Sequence, residues 1–205
     1  MVTFGKRALN KAQTRLDILN ATFRLTQNVN LRDLNVKTIA AELGITEMTF
    51  FNHFARKEDI LGYMMGIWGL DLMALQLRQA LSGEAAIRRI FAHTADWVKR
   101  HPNMMANFIA YLATNDVQDR ATPIEAGDRY LLYPDLPELY AMDIPSGNEL
   151  LIRHLAEMSP QSEPTPTLLH LASCFYGDVL VAHTAGLDIE DLYRRSLDLI
   201  FGRRG

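Results

Sequence analysis

Residues 35–61 read NVKTIAAELGITEMTFFNHFARKEDIL, and inside them Phe50, Phe51 and Phe54 crowd into five positions beside Glu47, Thr49, Asn52 and His53. A segment both greasy and polar makes sense as a short helix. At about 100° per residue, Phe50 and Phe54 share one face and Met48 and Asn52 fall opposite. Thr49 and His53 line one flank, Glu47 and Phe51 the other. Two rings then anchor the helix while a polar face looks outward.

The residues before it give that outward face a use. Asn35 stands where an N-cap belongs, ahead of VKTIAAEL, and Gly44 supplies the stop. Ile39, Ala40, Leu43, Gly44, Ile45 and Phe50 follow a helix-turn-helix pattern: a small residue where two helices cross, a glycine able to take positive φ, and apolar positions that lock the pair. The second helix of such a pair fits a major groove about 12 Å wide. On spacing alone an ordinary helix hairpin is as good a reading.

The rest of the 205-residue chain is also patterned as helix, so the expected fold class is all-α. With 48% apolar and 22% charged residues it can bury a substantial core. Apolar positions from Leu9 to Thr26 make one stripe. A long pattern runs from Lys57 to about Leu81, another over 84–101, and a third through NMMANFIAYLATND. Residues 117–146 hold four of the eight prolines and are expected to be broken helix and loop. Ser146 and Glu149 match a capping box, Thr165 and Pro166 an N-cap and first-turn proline, and Asp188 a cap for the last helix. Residues 1–62 carry a net charge of +3 and the remainder −6. A basic head on an acidic body points weakly to a polyanion at one end. With no apolar run of about 18 residues, no signal peptide and one cysteine, the chain reads as cytoplasmic, without a membrane partner.

The stretch 35–61 resembles the DNA-binding core of the tetracycline-repressor (TetR) family, whose pattern runs roughly Thr-x-x-x-Ile-Ala-x-x-x-Gly-Val-Ser-x-x-Thr-Leu-Tyr-x-Tyr/His-Phe-x-x-Lys-x-x-Leu. The resemblance implies an N-terminal three-helix helix-turn-helix DNA-binding domain over residues 1–56. A C-terminal helical ligand-binding and dimerisation domain would cover 57–205. Thr49, His53 and Lys57 match phosphate-contacting positions, and Lys37 one that reaches the groove edge. Glu47, Met48 and Asn52 match base-facing positions, with Thr46 as the N-cap. Two departures stand out. Phe51 replaces a tyrosine whose hydroxyl contacts phosphate, although its ring can meet a thymine methyl. Glu47 replaces a neutral or basic residue; it either accepts from cytosine N4 or is a solvated carboxylate.

The helix 167–187 carries one charge, Asp178, and is apolar nearly all round, so it demands cover nearly all round. A second copy of the chain is the expected cover, along Leu168, Leu171, Ala172, Phe175, Val179 and Ala182; burial within a monomer is the alternative. The resemblance likewise implies a homodimer, on an operator of double-stranded DNA that is nearly palindromic. It also implies a cavity for a small apolar or aromatic ligand, with Met64, Met65, Trp68, Trp97, Met104, Met105, Phe108 and Tyr111 as candidate lining. No cofactor or metal site is expected, and no enzyme. His93 with Asp96 is too small a set for a metal, and Cys174 with His170 lacks an orienting third group. The expected function is a transcriptional regulator, a repressor released by its ligand; a helical small-molecule-binding module without DNA, or a small enzyme, are the rivals.

Overall fold

The structure is a computed structural model and describes residues 4–27, 29–114, 122–159 and 163–202. These form α-helices α1 (Lys6–Leu25), α2 (Val36–Leu43), α3 (Glu47–Phe51), α4 (Asp59–Gln79), α5 (Gly83–Arg100), α6 (Pro102–Thr114), α7 (Ala126–Leu132), α8 (Gly147–Met158), α9 (Thr165–Ala185) and α10 (Ile189–Phe201), with short 3-10 turns at Leu31–Asp33 and Pro137–Tyr140. No strand occurs among the described residues, in keeping with the all-α reading. Residues 117–121 of the proline-rich stretch lie outside the described residues.

The chain divides into two compact units, residues 1–74 with 107–144 and residues 75–106 with 145–205. Residue 56, after which the sequence reading divides the chain, lies inside the first of these units. The first unit continues past it because α1 is held by α7, an element more than a hundred residues away.

In the first unit α1 buries Ala12, Leu16, Ile18, Leu19 and Ala21 and, unexpectedly for a charged residue, Arg15. The Arg15 guanidinium pairs with Asp128 of α7, whose side chain is wholly buried. Asp128 also accepts from Tyr63 Oη at 2.8 Å and from the Glu125 backbone N–H at 2.7 Å, closing a capping box at the start of α7. Arg15 lies 5.2 Å over the Tyr63 ring and reaches Glu125, which Lys11 grips at 2.7 Å. Lys11 is the main reason the Glu125 carboxyl sits below its usual range, while burial, with Asp128 adding to it, pushes the Tyr63 phenol far up. A buried charge is tolerated only when paired and hydrogen-bonded, and each member here has several partners.

α4 is long and apolar enough, by length and composition, to cross a membrane, but 67% of its most apolar window is buried within the protein. Its Gly66 is a point of close approach. A Cβ built there would lie 2.5 Å from Ile124 Cγ1, so the segment leading into α7 sits where a side chain would be.

In the second unit α10 packs on α5 and α9, and α8 on α5 and α9. An aromatic cluster makes its centre: Phe91 meets Tyr193 at 4.9 Å and Phe175 at 5.4 Å, both edge-on, and Tyr193 Oη donates to the Phe175 carbonyl at 2.8 Å. Ser146 and Glu149 form the expected capping box, and Asp188 accepts from the N–H groups of Glu190 and Asp191. At α9 the cap differs by one residue: Pro164 is the N-cap and Thr165 the first helical position.

Candidate nucleic-acid interface

The interface is assembled from local signals. Asn35 Oδ1 accepts from the Lys37 N–H at 2.9 Å and starts α2. Ile39 and Ala40 are buried at 0% and 2% exposure, giving α2 its inward face. Gly44 ends the helix at φ 64°, ψ 27°. Its N–H bonds to the Ala41 carbonyl and the Ile45 N–H to that of Ala40, the paired closure of a left-handed C-cap. This turn aims the chain into α3.

Thr46 caps α3 through Oγ1, which accepts from the Thr49 N–H at 3.1 Å; the two threonine hydroxyls are 2.9 Å apart. Phe50 and Phe54 are buried at 0% and 1%, with ring centroids 5.9 Å apart, and Phe54 rests edge-on against Tyr63 at 5.5 Å. The helical turn continues past Phe51, because the Asn52 and Phe54 N–H groups reach the carbonyls of Met48 and Phe50. Glu47, Met48, Phe51 and Asn52 are exposed, Met48 at 75% and Phe51 at 48%, while Thr49 and His53 are half-buried flanks. The arrangement of anchors and outward face follows the helical-wheel expectation. Lys37 is exposed on α2.

Lys57, expected as a phosphate contact, has a second set of partners within the fold. It precedes α4 by two residues, and its ammonium donates to the carbonyls of Arg32 at 2.9 Å and Leu34 at 2.8 Å. Two of its three protons thus tie down the turn before α2, leaving one for another acceptor.

His53 has its Nδ1 buried without a hydrogen-bond partner among the described residues. Burial, aided by the cationic Arg15 and Lys11, holds its imidazole below the ordinary 6.5, against a smaller opposing pull from Glu125. It is therefore neutral at pH 7, and its part at an interface is that of a polar ring rather than a charge. An unfolded chain takes up this proton near 6.5 while the folded one resists it, so stability is lost as pH falls below about 6.5. His53→Gln is expected to flatten the acid side of a plot of Tm against pH. His101, pushed down to about 4 chiefly by burial, adds its own fall over the same range and is common to both proteins. An unchanged acid side would remove His53 from the effect.

Among the other expected site residues, Met64, Met65, Trp68, Phe108 and Tyr111 belong to the first unit and Trp97, Met104 and Met105 to the second; all but Met65 are buried. The stripe expected between subunits needs correction. Leu171, Phe175, Val179 and Ala182 are buried within the single chain, at 0%, 7%, 1% and 9% exposure, because α9 turns this side to its own core. Leu168 and Ala172 are half-buried at its margin. The open side of α9 is instead Leu169, Leu180 and Val181, at 62%, 41% and 44%.

By architecture α2, the left-handed Gly44 turn and α3 make a helix-turn-helix. Residues 18–64 match the model of the bacterial regulatory proteins, tetR family, which makes that segment a TetR-type N-terminal domain. Two solved structures share the fold over nearly the whole length. A TetR transcriptional regulator from Rhodococcus sp. RHA1 is 16% identical, with 98% of each chain covered and a TM-score of 0.54. Thermus thermophilus FadR, a TetR family transcriptional repressor solved with lauroyl-CoA, is 18% identical, covering 93% of this chain and 95% of its own, with a TM-score of 0.56.

Proposed function

We propose that this regulator is a repressor that binds a near-palindromic operator as a homodimer and is released by a small apolar or aromatic ligand. The observation that carries the reading is the outward face of α3, with Glu47, Met48, Phe51 and Asn52 in solvent above the buried Phe50 and Phe54. A helix so mounted has the width and projection the major groove accepts. Thr49 and His53 flank it as candidate phosphate contacts, with Thr46 closing its N-terminus and Lys37 at the groove edge.

Support for the dimer comes from the open apolar side of α9, joined by Ile152 of α8 at 39% exposure. An exposed apolar strip on two neighbouring helices favours a second copy as its cover. Two α3 helices would then meet successive major grooves about 34–36 Å apart. Support for a ligand comes from the methionine and aromatic residues buried in both units, Met64, Trp68, Phe108 and Tyr111 in one and Trp97, Met104 and Met105 in the other, with Met65 half-buried. Methionine-rich surroundings adapt to apolar molecules. FadR's complex with lauroyl-CoA shows that protein holding an acyl thioester, so fatty acyl compounds are the first to try.

The test is retardation of duplex DNA from the protein's own promoter across a salt series, with sedimentation to give the subunit number. No salt-dependent retardation, or a monomer at micromolar concentration, would end the reading. Within the same series Lys57→Ala is expected to weaken binding to specific and random duplexes alike and to reduce the salt slope by about one. A lowered Tm with an unchanged slope would make Lys57 a strut for the 31–34 turn and not a phosphate contact.

A further inference from the structure

We infer that Met48 and Phe51 read thymine: together they form an apolar contact for the C5-methyl groups of A·T pairs at the centre of each half-site. The inference rests on the DNA-binding reading above and adds what that surface selects. Three residues apart on α3, the two side chains are neighbours on one side of the helix. Both are open to solvent, Met48 at 75% and Phe51 at 48%. A single exposed apolar side chain is ordinary, but two adjacent ones on the outward face of a five-residue helix make up much of that face. Phe51 is also held in place, packing edge-on against the fully buried Phe50 at 5.5 Å and 83°. It presents its ring as a fixed wall, and Met48 supplies a thioether that adapts to it.

The major groove offers one apolar group on a base edge, the thymine methyl; every other position is a donor, an acceptor or bare ring. An apolar pair facing the groove therefore gains most over thymine and strands a polar atom elsewhere. The polar residues around the pair agree. Asn52, exposed four residues from Met48, has the amide that pairs bidentately with adenine N6 and N7. Glu47 can only accept, so it is repelled by the N7 and O6 acceptors of guanine and tolerates the amino groups of adenine or cytosine.

The experiment has two stages and uses the full-length protein. Duplexes retained from a random library would be sequenced, and each thymine of the enriched site then replaced by uracil, which removes the methyl and leaves base pairing intact. The expected result is a half-site with A·T pairs at its centre and a loss of about fourfold in affinity for each contacted methyl, the factor that one buried carbon group commands. With Met48→Ala and Phe51→Ala combined, thymine and uracil sites should bind equally; Phe51→Tyr, which keeps the ring, should preserve the difference. Both changes are at exposed positions, and the uracil comparison needs no variant at all. Enriched sites that are G·C at the centre, or indifferent to uracil, would overturn thymine reading and leave DNA binding standing. No enrichment of any duplex would overturn both, and would leave the apolar pair to a protein partner.

Discussion

Asp128→Asn is expected to cost about 3–5 kcal/mol of stability, the loss associated with leaving one member of a buried ion pair uncompensated. The Arg15 side chain is 4% exposed, so its guanidinium would face a neutral amide and keep only the longer contact to the Glu125 carboxylate. The damage extends further, since Asp128 also receives Tyr63 Oη and the Glu125 N–H. Against a total stability of roughly 5–15 kcal/mol, such a loss takes a large share. Urea unfolding of the wild type and variant measures it. The control is Arg15→Met with Asp128→Leu, which replaces the pair with apolar groups; exchanges of this kind are often neutral or favourable, so much of the stability should return. A single variant as stable as the wild type would mean that water reaches the pair.

The second large effect separates two adjacent phenylalanines. Phe50→Ala is expected to destabilise by about 3–5 kcal/mol, because the ring is wholly buried under α3 and its removal leaves a cavity between Phe54 and the helix pair. Phe51→Ala, with half its surface already in water, should fall within about 1 kcal/mol of the wild type. Thermal unfolding of the two variants side by side provides the comparison. DNA affinity should drop in both for different reasons: it collapses in the first because α3 loses its floor, and falls only severalfold in the second because the outward face loses one apolar contact. Equal Tm values would contradict the orientation assigned to α3.

The reach of sequence reading followed the range of the interactions. Asn35, Gly44, Thr46, Ser146, Glu149 and Asp188 were legible because a cap is a bond between residues two to five positions apart. The inward pair Phe50 and Phe54 was legible because helical spacing alone separates it from Met48 and Asn52. Arg15 was not, since a cation on a helix looks solvated until its partner, 113 residues on, is known. Nor was the packing of α7 on α1, which no local pattern announces. The stripe on α9 failed for another reason. A helix apolar on every side carries no mark of which side faces its own chain, and Leu171, Phe175, Val179 and Ala182 prove to be the inner one. Lys57 matched a pattern of residue types, while its reach to the carbonyls of Arg32 and Leu34 depends on a fold that no local pattern encodes.

Gly66 leaves a mark on what this protein can become. Every missense change in a glycine codon adds at least one carbon at the backbone, and here that carbon falls on Ile124. The neighbour would have to move, at a cost of about 1–3 kcal/mol, and it moves from the stem of the helix that holds Asp128. A mutagenesis library searching for altered responses should come back with this codon intact among its functional clones, whatever else has drifted around it.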